Sequence, residues 1–303
     1  MKARFIWLVI LLLILAGVAY AYFPPFRLFT FVVAGRSPVC PLSEALKANE
    51  NLQQQVQFKD QILNASKLVE QDPKGYELWD TPKGRYWVPA ESRYVLPFNL
   101  AEQQRKIYGT GDFGPHAGDI TLDCGANVGV TVHEELAAGA KTVVAIEPAP
   151  ENLECLRRNY ANEIAAGRVI VVPKGVWDKE DFLTLRVDPK NSAADSFIIQ
   201  REGAVDLEKV PLTTIDKLVA ELKLERVDYI KFDIEGAEPK ALAGAKQTLA
   251  KYKPRISIAA YHQPDHPKVI PEIIHSERPD YQMQCGPCAE TEFSIRPDVL
   301  YFK

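Results

Sequence analysis

Residues 123–129 of this 303-residue chain read DCGANVG, and they follow a short apolar run directly. Gly125 and Gly129 lack a Cβ atom, and Asn127 is one of the few residue types that tolerate a left-handed backbone. Glu147 lies eighteen positions beyond Gly129. An acidic residue about 20 positions after a glycine turn is placed to accept hydrogen bonds from ribose hydroxyls. The spacing predicts a nucleoside-cofactor site.

The turn also discriminates between cofactors. A dinucleotide fingerprint needs Gly-x-Gly-x-x-Gly so that a diphosphate can lie at the helix N-terminus. The second and third glycine positions are Asn127 and Val130 here. Asp123 would repel a diphosphate, whereas its carboxylate suits the positive charges of S-adenosylmethionine. The pattern favours S-adenosylmethionine over NAD and leaves open an ordinary strand-to-helix loop of another α/β protein.

Further polar residues follow apolar runs elsewhere, namely Asp178, Asp233, Glu235 and His262. Ligands of an open α/β sheet bind at the carboxyl ends of its strands, where these residues would meet. His262 is the preferred general base because imidazole titrates near neutral pH, with Asp233 or Glu235 orienting it or acting as the base. A hydrogen-bonded strand-end histidine is the structural alternative. No metal is predicted, since no His/Cys cluster has ligand spacing.

Strands and helices must alternate to position these residues. The apolar runs predict strands at 120–124, 142–146, 169–172, 227–233 and 255–260, with helical patterns between several of them. This order of βαβ units favours a mostly parallel sheet with helices on both faces. Residues 281–303 predict two further strands that pair antiparallel at the sheet edge.

The chain from about residue 94 to 303 resembles the FkbM-type family of S-adenosylmethionine-dependent methyltransferases. The matching segments are DCGANVG at 123–129, Glu147-Pro148 with Asn152, TTID at 213–216 and IKFDIEGAE at 230–238. The resemblance implies a seven-stranded class I methyltransferase (Rossmann-like) fold. It also implies O-methylation of a hydroxyl on a sugar, glycan or other small molecule.

The resemblance assigns roles by position. Asp123, Gly125, Asn127 and Glu147 would hold the cofactor together with Gly129 of the same turn, and Asp178 would lie near the adenine. A subgroup of the family ends with basic or His residues after the sixth strand, where this chain has CGPC at 285–288. The acceptor side of the site therefore departs from that pattern.

The chain begins with an uncharged apolar run at residues 5–23. As a helix this run would be about 28 Å long, enough for the core of a bilayer. We expect residues 1–23 to form a single-pass membrane anchor, with a cleaved secretory signal as the alternative. Basic residues flank both ends almost equally, so the pattern leaves the side of the catalytic domain open.

Residues 24–75 predict a linker with an amphipathic helix at 42–71, which could serve self-association. Residues 76–303 predict the methyltransferase domain, with an N-terminal cap at 76–115. The formal net charge is −4 and no run of Lys or Arg occurs, so no nucleic-acid partner is expected.

The five cysteines divide into three groups. Cys124 and Cys155 lie on apolar faces and are predicted core residues, while Cys40 lies in the linker. Cys285 and Cys288 predict a structural disulfide or a free pair in a hairpin turn. A zinc site would need two more ligands at suitable spacing.

Three functional hypotheses follow. The first is a membrane-anchored O-methyltransferase. The second is a dehydrogenase-type nucleotide enzyme, which Asn127 and Val130 disfavour. The third is a non-catalytic, membrane-tethered domain that retains the fold and binds a glycan or another partner.

Overall fold

The structure is a computed structural model that describes residues 2–37 and 39–303. Met1, the first residue of the predicted anchor segment, lies outside the described residues. The α-helices are α1 (Lys2–Tyr22), α2 (Pro24–Val33), α3 (Leu42–Ala45), α4 (Ala48–Ala65), α5 (Val95–Gln104), α6 (Val130–Ala137), α7 (Pro150–Asn159), α8 (Ala161–Ala165), α9 (Ile215–Glu221), α10 (Glu238–Ala243), α11 (Lys246–Tyr252) and α12 (His266–Glu277). The strands are β1 (Lys67–Asp72), β2 (Tyr76–Thr81), β3 (Gly84–Pro89), β4 (Ile120–Cys124), β5 (Thr142–Ile146), β6 (Val169–Val172), β7 (Gly175–Val176), β8 (Asp181–Val187), β9 (Val205–Thr213), β10 (Tyr229–Phe232), β11 (Arg255–Ala259), β12 (Met283–Cys285), β13 (Cys288–Glu290), β14 (Ile295–Pro297) and β15 (Val299–Phe302).

The central sheet has the strand order β12-β15-β11-β10-β4-β5-β6. The ladders joining β11, β10, β4, β5 and β6 are parallel, whereas β15 pairs antiparallel with both β11 and β12. The predicted antiparallel pair at the C-terminal edge is confirmed. The sheet is therefore mixed, because β15 follows β12 without a helical crossover and inserts antiparallel between β12, the edge strand, and β11.

Both faces of the sheet are covered, as alternation along β5 shows. Val144 and Ile146 pack in one cluster with residues of α9 and α10, while Val143 and Ala145 pack in another with Val132 of α6. Successive side chains of a strand point to opposite faces. Because both faces are buried, β5 is a continuous apolar run, and this is the pattern from which it was predicted.

The predicted linker is more structured than the sequence pattern indicated. The expected helix at 42–71 is two helices that end at Ala65, and Lys67–Asp72 forms β1. Strand β1 pairs antiparallel with β2, and β2 pairs with β3, so the cap sheet begins inside the predicted linker. The stretch after Ser66 forms a strand because β2 offers it a partner, which single-sequence periodicity does not reveal.

The N-terminal helices differ in their surroundings. Helix α1 has one segment, Arg4–Tyr22, that is long and apolar enough to cross a membrane by length and composition, and none of it is buried. The next helix, α2, packs on the domain through Leu28 and Phe31. Its Arg27 also forms a bidentate ion pair with Glu290, at 2.5 and 2.9 Å. The domain therefore lies directly beside the end of α1.

Candidate active site

A cavity of about 450 Å³ opens at the carboxyl ends of the central strands. Gly125 after β4, Glu147 after β5 and Asp233 after β10 all line it. Residues of α5, including Phe98 and Glu102, form another part of its wall. The topology thus brings together polar residues that are far apart in sequence, at the edge where α/β sheets bind ligands.

The turn after β4 has the backbone that its residue types predict. Gly125 has φ +81° and Asn127 has φ +49°, both in the left-handed region. A Cβ atom on Gly125 would lie 1.9 Å from the carbonyl oxygen of Asp233, and one on Gly129 would lie 2.2 Å from the Tyr160 ring. Glycine at 125 lets the turn approach the end of β10, and glycine at 129 lets helix α6 start against Tyr160.

Glu147 is 5% exposed and lines the cavity beside this turn. Its carboxylate accepts hydrogen bonds from the backbone N–H groups of Asn127, at 2.8 Å, and Ala149, at 2.9 Å. Burial raises the pKa of Glu147, and these two N–H donors partly oppose that rise. The residue predicted to contact a ribose is therefore fixed in place and faces the cavity.

The loop between β8 and β9 forms another part of the cavity wall and is hydrogen-bonded to this turn, a contact that the sequence pattern does not predict. The Ser192 carbonyl accepts hydrogen bonds from the side-chain amides of Asn127 and Asn152, both at 2.9 Å. Asp195 of the same loop lines the cavity, and burial raises its pKa to about 8. A largely protonated carboxyl group therefore faces the cavity at neutral pH. The polar composition of residues 188–196 was the available signal, but it did not specify where the loop packs.

Asp123 does not occupy the position that the charge argument predicted. It is fully buried, lies outside the cavity lining, and its carboxylate is 3.0 Å from the ammonium of Lys231. Lys231 also donates a hydrogen bond to the Gly125 carbonyl at 2.7 Å. Burial lowers the pKa of Lys231, but Asp123 and Asp233 raise it overall. Asp123 thus supports the turn from beneath, and its charge is compensated inside the protein.

Asp233 lines the cavity with two tyrosines. Its carboxylate accepts a hydrogen bond from the Tyr108 hydroxyl at 2.6 Å and a longer one from the Tyr261 hydroxyl at 3.4 Å. Burial raises the pKa of Asp233, but Lys231 and His262 lower it overall. In contrast, burial and the nearby Asp233 raise the pKa of Glu102 well above its usual value. Asp233 is therefore an ionised carboxylate among largely protonated neighbours.

His262 lies behind this carboxylate rather than on the cavity wall. Its side chain is 2% exposed, with Nδ1 at 2.8 Å from Glu238 and Nε2 at 3.1 Å from Glu235. Burial lowers the pKa of His262, but Glu238 and Glu235 raise it well above its usual value overall. A pKa raised in this way favours the protonated ring near neutral pH, in which both nitrogens are placed to donate to carboxylates. Among the described residues, potential metal-ligand atoms of Asp233, Glu238 and His262 lie within 4.8 Å of one another.

Glu235 lines the cavity and is held from two sides. One carboxylate oxygen contacts His262, and the other lies 2.5 Å from the guanidinium of Arg201. Its backbone is left-handed, with φ +53°. In contrast, Asp178 lies outside the lining, in an ion pair with Lys240 at 2.8 Å. Strand β7 lines the cavity through Gly175 and Val176, whereas Asp178, two residues beyond it, does not.

A family model, the methyltransferase FkbM domain, matches residues 123–283 of this chain, which are 161 of its 303 residues. The chain belongs to the FkbM methyltransferase family. The match begins at the buried Asp123 and contains every predicted site residue. No curated protein matches the chain significantly.

Solved structures show similarity at low identity. The FkbM methyltransferase from Methylobacillus flagellatus KT aligns with 84% of this chain and 59% of its own, at 20% identity and a TM-score of 0.47. Precorrin-6y C5,15-methyltransferase from Geobacter metallireducens aligns with 63% of this chain and 80% of its own, at 14% identity and a TM-score of 0.35. A Streptococcus mutans protein, described as a putative methyltransferase in complex with SAH, aligns with 66% of this chain and 94% of its own, at 12% identity and a TM-score of 0.39. The family assignment rests on the family model.

Proposed function

We propose that this FkbM-family protein is an S-adenosylmethionine-dependent O-methyltransferase that acts on a hydroxyl of a sugar, a glycan or another small molecule. The observation that carries the proposal is the arrangement of Glu147 and Asp233 on one cavity. Glu147 stands beside the glycine turn, where a nucleoside would bind, and Asp233 is the ionised carboxylate at the end of β10.

The donor side of the cavity fits S-adenosylmethionine. The Glu147 carboxylate accepts from the backbone N–H groups of Asn127 and Ala149 and, at 3.4 Å, from the Asn152 side chain, and it retains a lone pair for a ribose hydroxyl. Asp123 does not provide the charge, because Lys231 compensates it. We assign the attraction for a positively charged donor to Asp233 instead. We assign the place of the acidic residue near the nucleoside to Asp195, which lines the cavity, instead of Asp178, which does not.

When bound, S-adenosylmethionine supplies a methyl group on a positively charged sulfur. The task of the chain is to place an acceptor hydroxyl in line with that group and to take up its proton. We assign the proton acceptor to Asp233, which lines the cavity and is ionised. Tyr108 and Tyr261 hold its two oxygens. His262 is assigned as a positioning residue, because an imidazolium that donates through both nitrogens has no lone pair with which to accept a proton.

Calorimetric titration of the full chain in detergent micelles with S-adenosylmethionine and with NAD tests donor choice. Heat from S-adenosylmethionine alone supports the proposal, and binding of NAD alone contradicts it. Transfer of label from methyl-labelled S-adenosylmethionine to a glycan mixture then tests the activity. Donor binding without transfer to any hydroxyl acceptor would favour the non-catalytic tethered domain.

The membrane location is part of the same proposal. The uncovered apolar surface of α1 supports an anchor, and α2 packed on the domain would hold the cavity close to the bilayer. Resistance of the full chain to alkaline carbonate extraction supports an anchor, while a mature N-terminus that begins after residue 21 indicates a cleaved signal.

Self-association of the chain is a separate proposal. It would use the exposed side chains of Leu52, Val56 and Leu63 on α4, and the mass of the detergent-solubilised chain tests it.

A further inference from the structure

Three cysteines meet at the junction of the N-terminal segment and the C-terminal strands. Cys40 follows α2, Cys285 ends β12 and Cys288 begins β13. The structure pairs Cys40 with Cys285 and also with Cys288, and the Sγ atoms of Cys285 and Cys288 lie 3.6 Å apart. Because a cysteine forms one disulfide at a time, these pairings are alternatives. One thiol of the three is always left over.

The backbone distinguishes the pairings. The Cα atoms of Cys40 and Cys285 are 5.5 Å apart, whereas those of Cys40 and Cys288 are 7.3 Å apart. Disulfides usually join Cα atoms about 4.4–6.8 Å apart, and separations above about 7 Å require backbone movement. Cys40–Cys285 is thus the favoured bond to the N-terminal segment. It leaves the thiol of Cys288, which is fully buried, beside Cys285.

We propose that these three residues form a thiol–disulfide exchange site. The Cys288 thiolate attacks Sγ of Cys285, a new S–S bond joins Cys285 to Cys288, and the bond to Cys40 breaks. Cys40 leaves as a thiolate and takes up the proton that Cys288 released. One disulfide is lost and one is formed, so the exchange needs no oxidant or reductant.

The exchange changes how the N-terminal segment is attached. The Cys40–Cys285 bond joins positions 245 residues apart, between the chain after α2 and the edge of the central sheet. After exchange, non-covalent contacts remain: the Arg27–Glu290 ion pair and the hydrogen bond from the Ile295 N–H to the Arg36 carbonyl, at 2.9 Å. The exchange therefore converts a covalent attachment of the membrane-proximal segment into a reversible one.

The hairpin formed by β13, which begins at Cys288, and β14 reaches a residue of the cavity wall. Strands β13 and β14 pair with Ala289 opposite Arg296. The guanidinium of Arg296 donates to the Tyr261 carbonyl at 2.5 Å and lies 5.2 Å from the centre of the Tyr261 ring. Tyr261 lines the cavity and contacts Asp233. The position of the disulfide is thereby connected to the side of the cavity assigned to the acceptor, while Glu147 lies on other segments.

The test maps disulfides in the full chain in detergent micelles. Samples equilibrated in glutathione buffers are quenched with acid, alkylated, digested and analysed by mass spectrometry. We expect both the Cys40–Cys285 and Cys285–Cys288 peptides. Their ratio should stay constant while the ratio of reduced to oxidised glutathione varies about hundredfold, because exchange consumes no thiol. Cys124 and Cys155 are buried free thiols and serve as references that are alkylated after unfolding.

Two variants make the test decisive. Cys288→Ser should contain the Cys40–Cys285 bond alone, and Cys40→Ser should contain the Cys285–Cys288 bond alone. Circular dichroism checks that both fold, and both should bind S-adenosylmethionine within about threefold of the unchanged chain. Reduced Cys285 and Cys288 in folded Cys40→Ser under oxidised glutathione would overturn the proposal. One equivalent of a soft metal, released when three thiols are alkylated, would overturn it as well and identify a thiolate metal site.

Discussion

The ammonium group of Lys231 lies 3.0 Å from the carboxylate of Asp123, and these side chains are 3% and 0% exposed. The pair is positioned by adjacent strands, since β10 and β4 are parallel and Lys231 stands opposite Asp123 in their register. Lys231 also binds the Gly125 carbonyl, so the ion pair and the glycine turn form one unit. The negative charge of Asp123 at the end of β4 is therefore neutralised by Lys231 inside the protein and does not attract a ligand.

We expect Lys231→Met to lower the free energy of unfolding by about 3–5 kcal/mol, because it leaves the Asp123 carboxylate buried without a partner. The double variant Asp123→Asn, Lys231→Met should lose less than the single variant. Urea denaturation measures both. Lys240→Met is the matched control: Lys240 is half-exposed and paired with Asp178, so its loss should cost less than about 1 kcal/mol. Equal losses for Lys231 and Lys240 would contradict this account.

The role of Glu147 yields a prediction about binding. Glu147→Gln should weaken S-adenosylmethionine about 10- to 100-fold, because a charge-assisted hydrogen bond contributes about 1.5–3 kcal/mol. Calorimetry on the folded variant measures the change. Glu151→Gln removes an exposed carboxylate in the first turn of α7 and should leave the affinity unchanged. Unchanged affinity in Glu147→Gln would separate this residue from the donor site.

The local parts of the site were predictable from the sequence. The strand, the left-handed turn and the next strand are encoded within 119–147, where apolar runs and glycines act through the local backbone. Glu147 was identified by its distance along this unit. The FkbM motifs extended that reading to Asp233 and Glu235, and the structure brings these two residues to the same cavity as Glu147.

The remaining parts depended on contacts between distant segments. Asp123 faces Lys231 because two strands 108 positions apart lie in register, and its charge therefore never reaches the cavity. Asp178 lies outside the cavity, paired with Lys240 of α10, whereas Asp195 reaches the cavity on a loop that no periodicity describes. Likewise, Cys40 meets the C-terminal cysteines because α2 and the segment after it pack on the domain. Contacts between distant segments are not predicted by the local propensities of the residues that make them.

Asp233 yields a prediction about turnover. Asp233→Asn should lower the rate of methyl transfer by about 10²-fold or more, because an amide cannot take up the proton of the hydroxyl group that is methylated. Donor affinity should fall as well, because Asp233 is assigned the attraction for the positively charged donor, so the rate is compared at saturating S-adenosylmethionine. Single-turnover transfer from labelled S-adenosylmethionine measures the rate once an acceptor is in hand. Asp265→Asn, at an exposed position before α12, is the control. A full rate in Asp233→Asn would return the role of base to Glu235 or His262.

His262 yields a prediction about pH that also tests its assignment. Its folded-state pKa is raised above the ordinary 6.5, because the carboxylates of Glu238 and Glu235 outweigh burial. The stability from this charge is therefore complete below about pH 6.5 and is lost as the pH rises through the raised pKa. His262→Gln should cost about 3 kcal/mol or more at pH 6, and this difference from the unchanged chain should shrink at alkaline pH.

Urea denaturation of both proteins from pH 6 to the alkaline range measures that difference, and His133→Gln, at an exposed position of α6, is the control for losing a histidine. A shrinking difference means that His262 is an imidazolium near neutral pH, which can position Glu235 but cannot accept a proton. A difference that is constant or grows with pH would mean a neutral ring. In that case His262 would regain a free lone pair and become a candidate for the base and for a metal ligand alongside Asp233 and Glu238.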